Sequence, residues 1–135
     1  MTHDRPDLLA LMPFAQTLGI ELLGATPGEV RGRLAWRPEL CTAGGVLHGG
    51  VLMALADSTG GLCAYLNLSG QTFTTTTTIE SKTNFLRAVA GGHVESISRP
   101  LHSGRRIVVI DTDLVDDGGR LVGRVTQSQL VITPS

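Results

Sequence analysis

The sequence predicts an α+β fold, an antiparallel sheet packed on one long helix, and three observations carry that expectation. Gly49 to Leu66 has the apolar spacing of a long helix. β-Branched runs separated by turn residues fill the chain after it. No repeat or linker divides the 135 residues, a length that suits one domain, 1–135, with a core of its own.

From the N-terminus, Leu8, Leu11, Met12 and Ala15 recur at helical spacing, and Pro13 breaks the pattern into one or two short turns that lead into Gly19-Ile20. Glu29 to Trp36 alternates, with Val30, Leu34 and Trp36 on one face and Arg31, Arg33 and Ala35 on the other, which predicts a strand. Pro38 to Gly45 reads as a loop. In the long helix Val51, Leu52, Leu55, Ala56, Thr59, Leu62, Cys63 and Leu66 form a broad apolar face. Ala54, Gly60, Gly61 and Ala64 keep it thin, as a closely wrapped sheet requires. The two glycines cost about 1.5–2 kcal/mol of helix propensity relative to alanine, so a close neighbour or ligand is expected there.

After a turn at Ser69-Gly70, strands are predicted over Thr72–Phe85, His93 to about Leu101, Arg106–Val115 and Arg120–Ile132. Gly91-Gly92, Ser103-Gly104 and Asp116-Asp117-Gly118-Gly119 supply the turns between them. Ile107 to Ile110 is too apolar for a strand with one face in water.

A formal net charge of −1 gives no reason to expect nucleic acid or an anionic membrane as partner. Aromatics make up 4%, leaving little for base stacking. Cys41 and Cys63 lie far apart and outside any metal-type spacing, so neither a disulfide framework nor a zinc site is expected. The N-terminal residues are polar, and apolar stretches fall well short of a membrane span. These features together predict a cytoplasmic protein.

Chemistry concentrates where a glycine-rich turn, Gly44 to Gly50, runs into the long helix. The first amides of a helix lack intrahelical partners and sit at the positive end of its dipole. Gly49 and Gly50 let an oxygen approach those donors, which suits an anion or a carbonyl that gains charge in a transition state. Asp57 lies on a helix that otherwise reads as buried, and a carboxylate there calls for a partner or a function. At ~1.5 Å per residue, Gly49 and Asp57 stand on the order of 10 Å apart in one chain. A site using both therefore needs two subunits.

Each feature also has a plainer reading. A Gly-Gly pair before a helix is most often a tight turn, and a lone His such as His48 a cap or packing residue. Asp57 pairs with an Arg of a neighbouring strand just as readily as it serves catalysis. Arg105-Arg106 reads as a solvated turn, with a phosphate contact as the alternative.

Taken together, the segments Val46–Gly50 (Val-Leu-His-Gly-Gly), Ala54–Asp57 (Ala-Leu-Ala-Asp), Thr83–Arg87 (Thr-Asn-Phe-Leu-Arg) and Val115–Leu121 resemble the hotdog-fold acyl-CoA thioesterases. The likeness is to those of the phenylacetate pathway and to the 4-hydroxybenzoyl-CoA thioesterases with His-Gly-Gly before the helix. It covers nearly the whole chain. It implies a sheet curled around the helix, a homodimer joined edge to edge as minimal active unit, and pairing into a homotetramer. It also implies catalysis by Asp57 as nucleophile or general base, with the Gly49 amide of the other subunit polarising the thioester carbonyl and His48 organising the helix terminus. Gly50 then borders the substrate, and Arg87 matches an arginine that contacts the CoA nucleotide in some members. No metal or cofactor is implied, CoA being part of the substrate.

Two departures alter the expected site. Thr42 stands where some relatives carry Asn or Gln, and Gly61 where members with a Glu nucleophile can carry Thr. A hydroxyl that steers the hydrolytic water then comes from Thr77 or Thr78. Arg105 and Arg106 stand where relatives use Ser and Thr near the CoA phosphates. Rival readings are a hotdog dehydratase or hydratase, separable by assaying enoyl-CoA hydration against CoA release, and a non-catalytic acyl-CoA-binding module, which Asp57→Asn would leave intact.

Overall fold

The computed structural model describes residues 8–68 and 74–133. The turn expected at Ser69-Gly70 and the start of the following strand, Thr72 and Phe73, lie outside the described residues. A single 3₁₀ turn, Leu8–Leu11, precedes helix α1, Pro13–Leu18. Pro13 begins this helix rather than breaking one, because the first helical residue needs no N–H partner. Gly19 ends it in the left-handed conformation, at φ 78°.

Strands β1 (Glu21–Thr26), β2 (Glu29–Ala35), β3 (Thr75–Phe85), β4 (His93–Ser103), β5 (Ile107–Asp116) and β6 (Leu121–Ile132) form one antiparallel sheet. Its order among the described residues is β1-β2-β4-β5-β6-β3. The sequence pattern missed β1. Its burial does not alternate cleanly, since a register shift between Leu22 and Gly24 breaks the period. β3 does not pair with β4, its successor in sequence, but crosses to the far edge beside β6. The connection runs past the start of the long helix, where buried Val89 accepts a hydrogen bond from the Leu47 amide at 2.9 Å.

Helix α2, Gly49–Leu66, lies on the inner face of the sheet. Leu52, Leu55 and Ala56 pack with Leu34, Val94, Leu114, Val122 and Val125; Leu62, Cys63 and Ala64 pack with Val30, Val108 and Ile110. In β5, Val108 and Ile110 are buried while Ile107 and Val109 are half-buried, which accounts for the unbroken apolar run. The outer face carries ion pairs such as Arg99–Glu29 (2.7 Å) and Arg124–Asp113 (2.8 Å), so in the single chain this face is polar and partly exposed. Among the described residues no helix is long and apolar enough to cross a membrane.

Small residues let the helix approach the sheet. A Cβ on Gly60 would stand 1.6 Å from Oε1 of Gln127, and one on Gly32 would stand 2.7 Å from Thr59. Gly61 differs: its nearest neighbour would be 3.9 Å away, and it lines a cavity instead.

Candidate active site

Two turns of α2 carry the candidate groups. At its start His48 is the N-cap, and its Nδ1 accepts the Gly50 amide at 2.7 Å. The amides of Val51 and Leu52 both turn back to the His48 carbonyl, at 3.0 and 3.3 Å. Among the described residues the Gly49 amide has no partner, so it is the open donor of this turn. This corrects the expectation for Gly50, whose own N–H is taken by the imidazole; Gly50 contributes only a bare Cα beside the cap. Phe85 of β3 lies over Gly49, its ring 3.1 Å from where a Cβ would stand.

Asp57 occupies the third turn. It is exposed in the single chain, not buried as the surrounding apolar residues suggest, because its face of α2 turns toward the edge strand β3. No Arg pairs with it among the described residues. Thr78 donates its hydroxyl to Oδ1 at 2.8 Å, and Nε2 of Gln127 donates to the same oxygen at 3.0 Å. Nε2 of Gln129 in turn donates to Thr78 Oγ1 at 2.6 Å. The bulge in β3 between Thr78 and Glu80 switches which side chains face the helix, so that Thr76 and Thr78 turn inward before it and Ser81 and Thr83 after it.

Asp57 opens on a cavity of about 490 Å³, lined by Leu11, Met12, Leu62 and Tyr65 on its apolar side and by Thr75 to Thr78, Gly61 and Gln129 elsewhere. That size and its largely apolar lining suit a small-molecule ligand. Of the two threonines expected, Thr77 lines this cavity and Thr78 reaches the carboxylate. A second cavity of about 400 Å³, sharing no residue with the first, is lined by Arg105, Arg106, Ser103, Asn67 and Thr74. Arg87 and Thr42 are exposed and line neither cavity. The Thr42 amide instead closes the loop before α2 on the Val46 carbonyl at 2.9 Å.

Cys63 of α2 is wholly buried in the core beneath the helix. Burial pushes its thiol up to about 11, so it stays protonated at neutral pH. Among the described residues no group of three or more His, Cys, Asp or Glu is gathered as a metal site.

Gln127 and Gln129 were missed in the sequence. Their signal was the phase of β6: both share the inward parity of buried Val125, and both are buried. A polar side chain on the core face of a strand needs a partner, and Asp57 and Thr78 are those partners.

The family profile described as thioesterase superfamily matches residues 44–123, more than half of the chain, including both turns of α2 and β3. A candidate esterase of Mycobacterium tuberculosis is 33% identical over 115 residues, covering 84% of this chain and 81% of that protein. Its solved structure superposes with a TM-score of 0.85 at 29% identity, covering 92% of this chain and 99% of that one. A thioesterase of Haemophilus influenzae gives a TM-score of 0.85 at 27% identity, over 96% and 93% of the two chains. The 1,4-dihydroxy-2-naphthoyl-CoA hydrolase of Escherichia coli is 35% identical over 77 residues, 57% of this chain and 55% of that protein. By sequence, by its sheet wrapped around one long helix and by these relatives, the chain belongs to the thioesterase superfamily, whose hotdog fold it has.

Proposed function

We propose that this protein hydrolyses an acyl-CoA thioester to the free acid and CoA, with Asp57 as the essential carboxylate. The observation that carries the reading is a helix-borne carboxylate held through one oxygen at the mouth of an acyl-sized cavity. In the reaction an oxygen nucleophile attacks the thioester carbon, the carbonyl oxygen takes up negative charge, and the C–S bond breaks to release the CoA thiol. Asp57 either attacks directly, giving an anhydride that water then cleaves, or takes the proton of the attacking water. An open helix-terminal amide such as that of Gly49 is suited to the developing oxyanion.

Gly49 lies eight residues before Asp57, roughly 12 Å along α2, so the amide that serves Asp57 comes from a second copy of the chain. β3 supports this: it is an edge strand, and Ile79 and Phe85 on it are exposed together with Leu86 just beyond it. A homodimer joined there is the proposed active unit. Arg105 and Arg106, and Arg87 from a partner or neighbour, are the basic groups for the CoA phosphates.

The test is thiol release from a panel of aromatic and aliphatic acyl-CoAs by wild type and Asp57→Asn. Turnover by the wild type that the variant lacks supports the reading. Absence of thiol release across the panel, or equal rates for the two proteins, overturns it.

A further inference from the structure

We infer that Gln127 and Gln129 are positioning residues that hold Asp57 by Oδ1 and leave Oδ2 as the oxygen that acts on the substrate, and that Gly60 exists to admit the Gln127 amide. The inference rests on the reading of Asp57 as the reacting carboxylate. An ionised carboxylate only accepts hydrogen bonds, so the group facing Asp57 from Gln127 is its NH₂. That NH₂ and the Thr78 hydroxyl are the two donors to Asp57 among the described residues, and both fall on Oδ1. The hydroxyl has a single proton. Because Gln129 donates into Thr78 Oγ1, that proton is directed at Asp57 and not back into the sheet. Gln129 therefore acts through Thr78, and Gln127 acts directly.

Neither side chain is needed to build the sheet. β6 pairs with β5 and β3 through its main chain, and apolar residues in both positions would continue the inner face begun by Val125. Instead two amides are almost wholly buried, and Gln127 Oε1 has no hydrogen-bond partner among the described residues. A buried acceptor left unpaired is unfavourable for stability and is the kind of feature found where function demands it. Gly60 fits the same account. It sits in the interior of a helix, where glycine is a poor choice, yet a Cβ there would stand 1.6 Å from Gln127 Oε1 and 2.7 Å from its Cδ. The helix accepts a weak residue so that a buried amide can reach the carboxylate.

Steady-state thiol release and thermal melting on the full-length chain test the inference, using the acyl-CoA that the wild type turns over fastest. Gln127→Ala and Gln129→Leu are expected to lower kcat by ~10- to 100-fold, with KM changed less than about threefold, because the lost hydrogen bonds are to a charged group or orient one. Gly60→Ala alone should lower both kcat and Tm by displacing the amide. In the Gln127→Ala background the same Gly60→Ala should cause no further fall in kcat and should recover Tm, since its methyl enters the space the amide vacated. This double variant guards against simple misfolding of the singles. Wild-type kcat in Gln127→Ala, a loss confined to KM, or a Gly60→Ala effect that adds in full to that of Gln127→Ala would each overturn the inference. Asp57→Asn in the same assay separates the two levels: if it is inactive while the glutamine variants are unaffected, only the positioning role falls. If it is active, the reading of Asp57 falls with it.

Discussion

Asp57 on the long helix and Asp116 in the β5–β6 hairpin are two carboxylates that the protein holds in opposite ways. Asp116 is largely buried, and both its oxygens are engaged. Oδ1 accepts the amides of Gly118 at 3.0 Å and Arg120 at 2.9 Å, and Oδ2 accepts Arg120 Nε at 3.0 Å. Every donor comes from its own turn. Asp57 is exposed, its donors are side chains from strands 21 and 70 residues away, and both fall on one oxygen. A carboxylate that closes a turn engages both its oxygens locally. Asp57 has donors on one oxygen only among the described residues and is held by distant elements, so that the fold as a whole sets its direction, as the proposed reacting carboxylate requires.

The sharpest break in this comparison is Asp57→Asn. The substitution keeps the shape and an acceptor oxygen for Thr78 but removes the charge and the basic oxygen. Turnover should fall by at least ~10²–10⁴-fold, the usual scale for loss of a general base, and further if Asp57 is the nucleophile. Since the group is exposed and unpaired with any cation among the described residues, Tm should change little. An active but unstable variant would make Asp57 a structural residue like Asp116.

Next in size is the partner group at the start of α2. Gly49→Pro removes the amide at the start of α2 that has no partner among the described residues, and proline suits the first position of a helix once the Phe85 ring shifts by a few tenths of an ångström. Loss of an oxyanion donor typically lowers kcat by ~10²–10³-fold. The two positions also test assembly. An Asp57→Ala chain and a Gly49→Pro chain, each inactive alone, should regain about a quarter of wild-type activity after subunit exchange, because half the dimers are mixed and each has one intact site. Activity of a species that light scattering shows to be monomeric would remove the two-subunit site.

A third effect falls on binding alone. Replacing Arg87, Arg105 and Arg106 with Ala should raise KM for acyl-CoA roughly tenfold and leave KM for a short pantetheine thioester near wild type, since only the former carries the phosphates. Equal effects on both substrates would leave the arginines as surface residues.

How far the sequence reached follows the same division between local and distant. The His48 cap, the open Gly49 amide and the Asp116 hairpin are made by residues within four positions of one another, and each was visible as a short segment. The long helix and five of the strands were legible from their periods. The place of β3 at the sheet edge was not, because pairing with β6 rather than β4 depends on tertiary packing and no local pattern encodes it. The exposure of Asp57 and its contacts with Thr78 and Gln127 follow from that placement. Gly60 and Gly61 looked alike in sequence. Only the packed structure shows that one makes room for an amide while the other borders the cavity.

The smallest expected effect is Asp116→Asn, which should leave kcat per folded molecule unchanged and lower Tm by a few degrees at neutral pH. The Arg120 amide above all, and then the guanidinium of the same residue and the Gly118 amide, hold the Asp116 carboxyl below its ordinary value against the opposing effect of burial. Because the folded state lowers this pKa, the unfolded chain binds the proton more readily. The stabilisation is therefore fully present above the ordinary carboxylate range and is lost as pH falls through the folded value. Asn cannot titrate, so the Tm gap between variant and wild type should be widest near pH 7 and should close in acid below the ordinary range, about pH 4. A melting series from pH 7 to pH 3 on both proteins reads this directly. A gap that stays constant across the series would mean that the hairpin depends on the shape of the side chain and not on its charge. The contrast with Asp57 would then rest on the number of engaged oxygens alone.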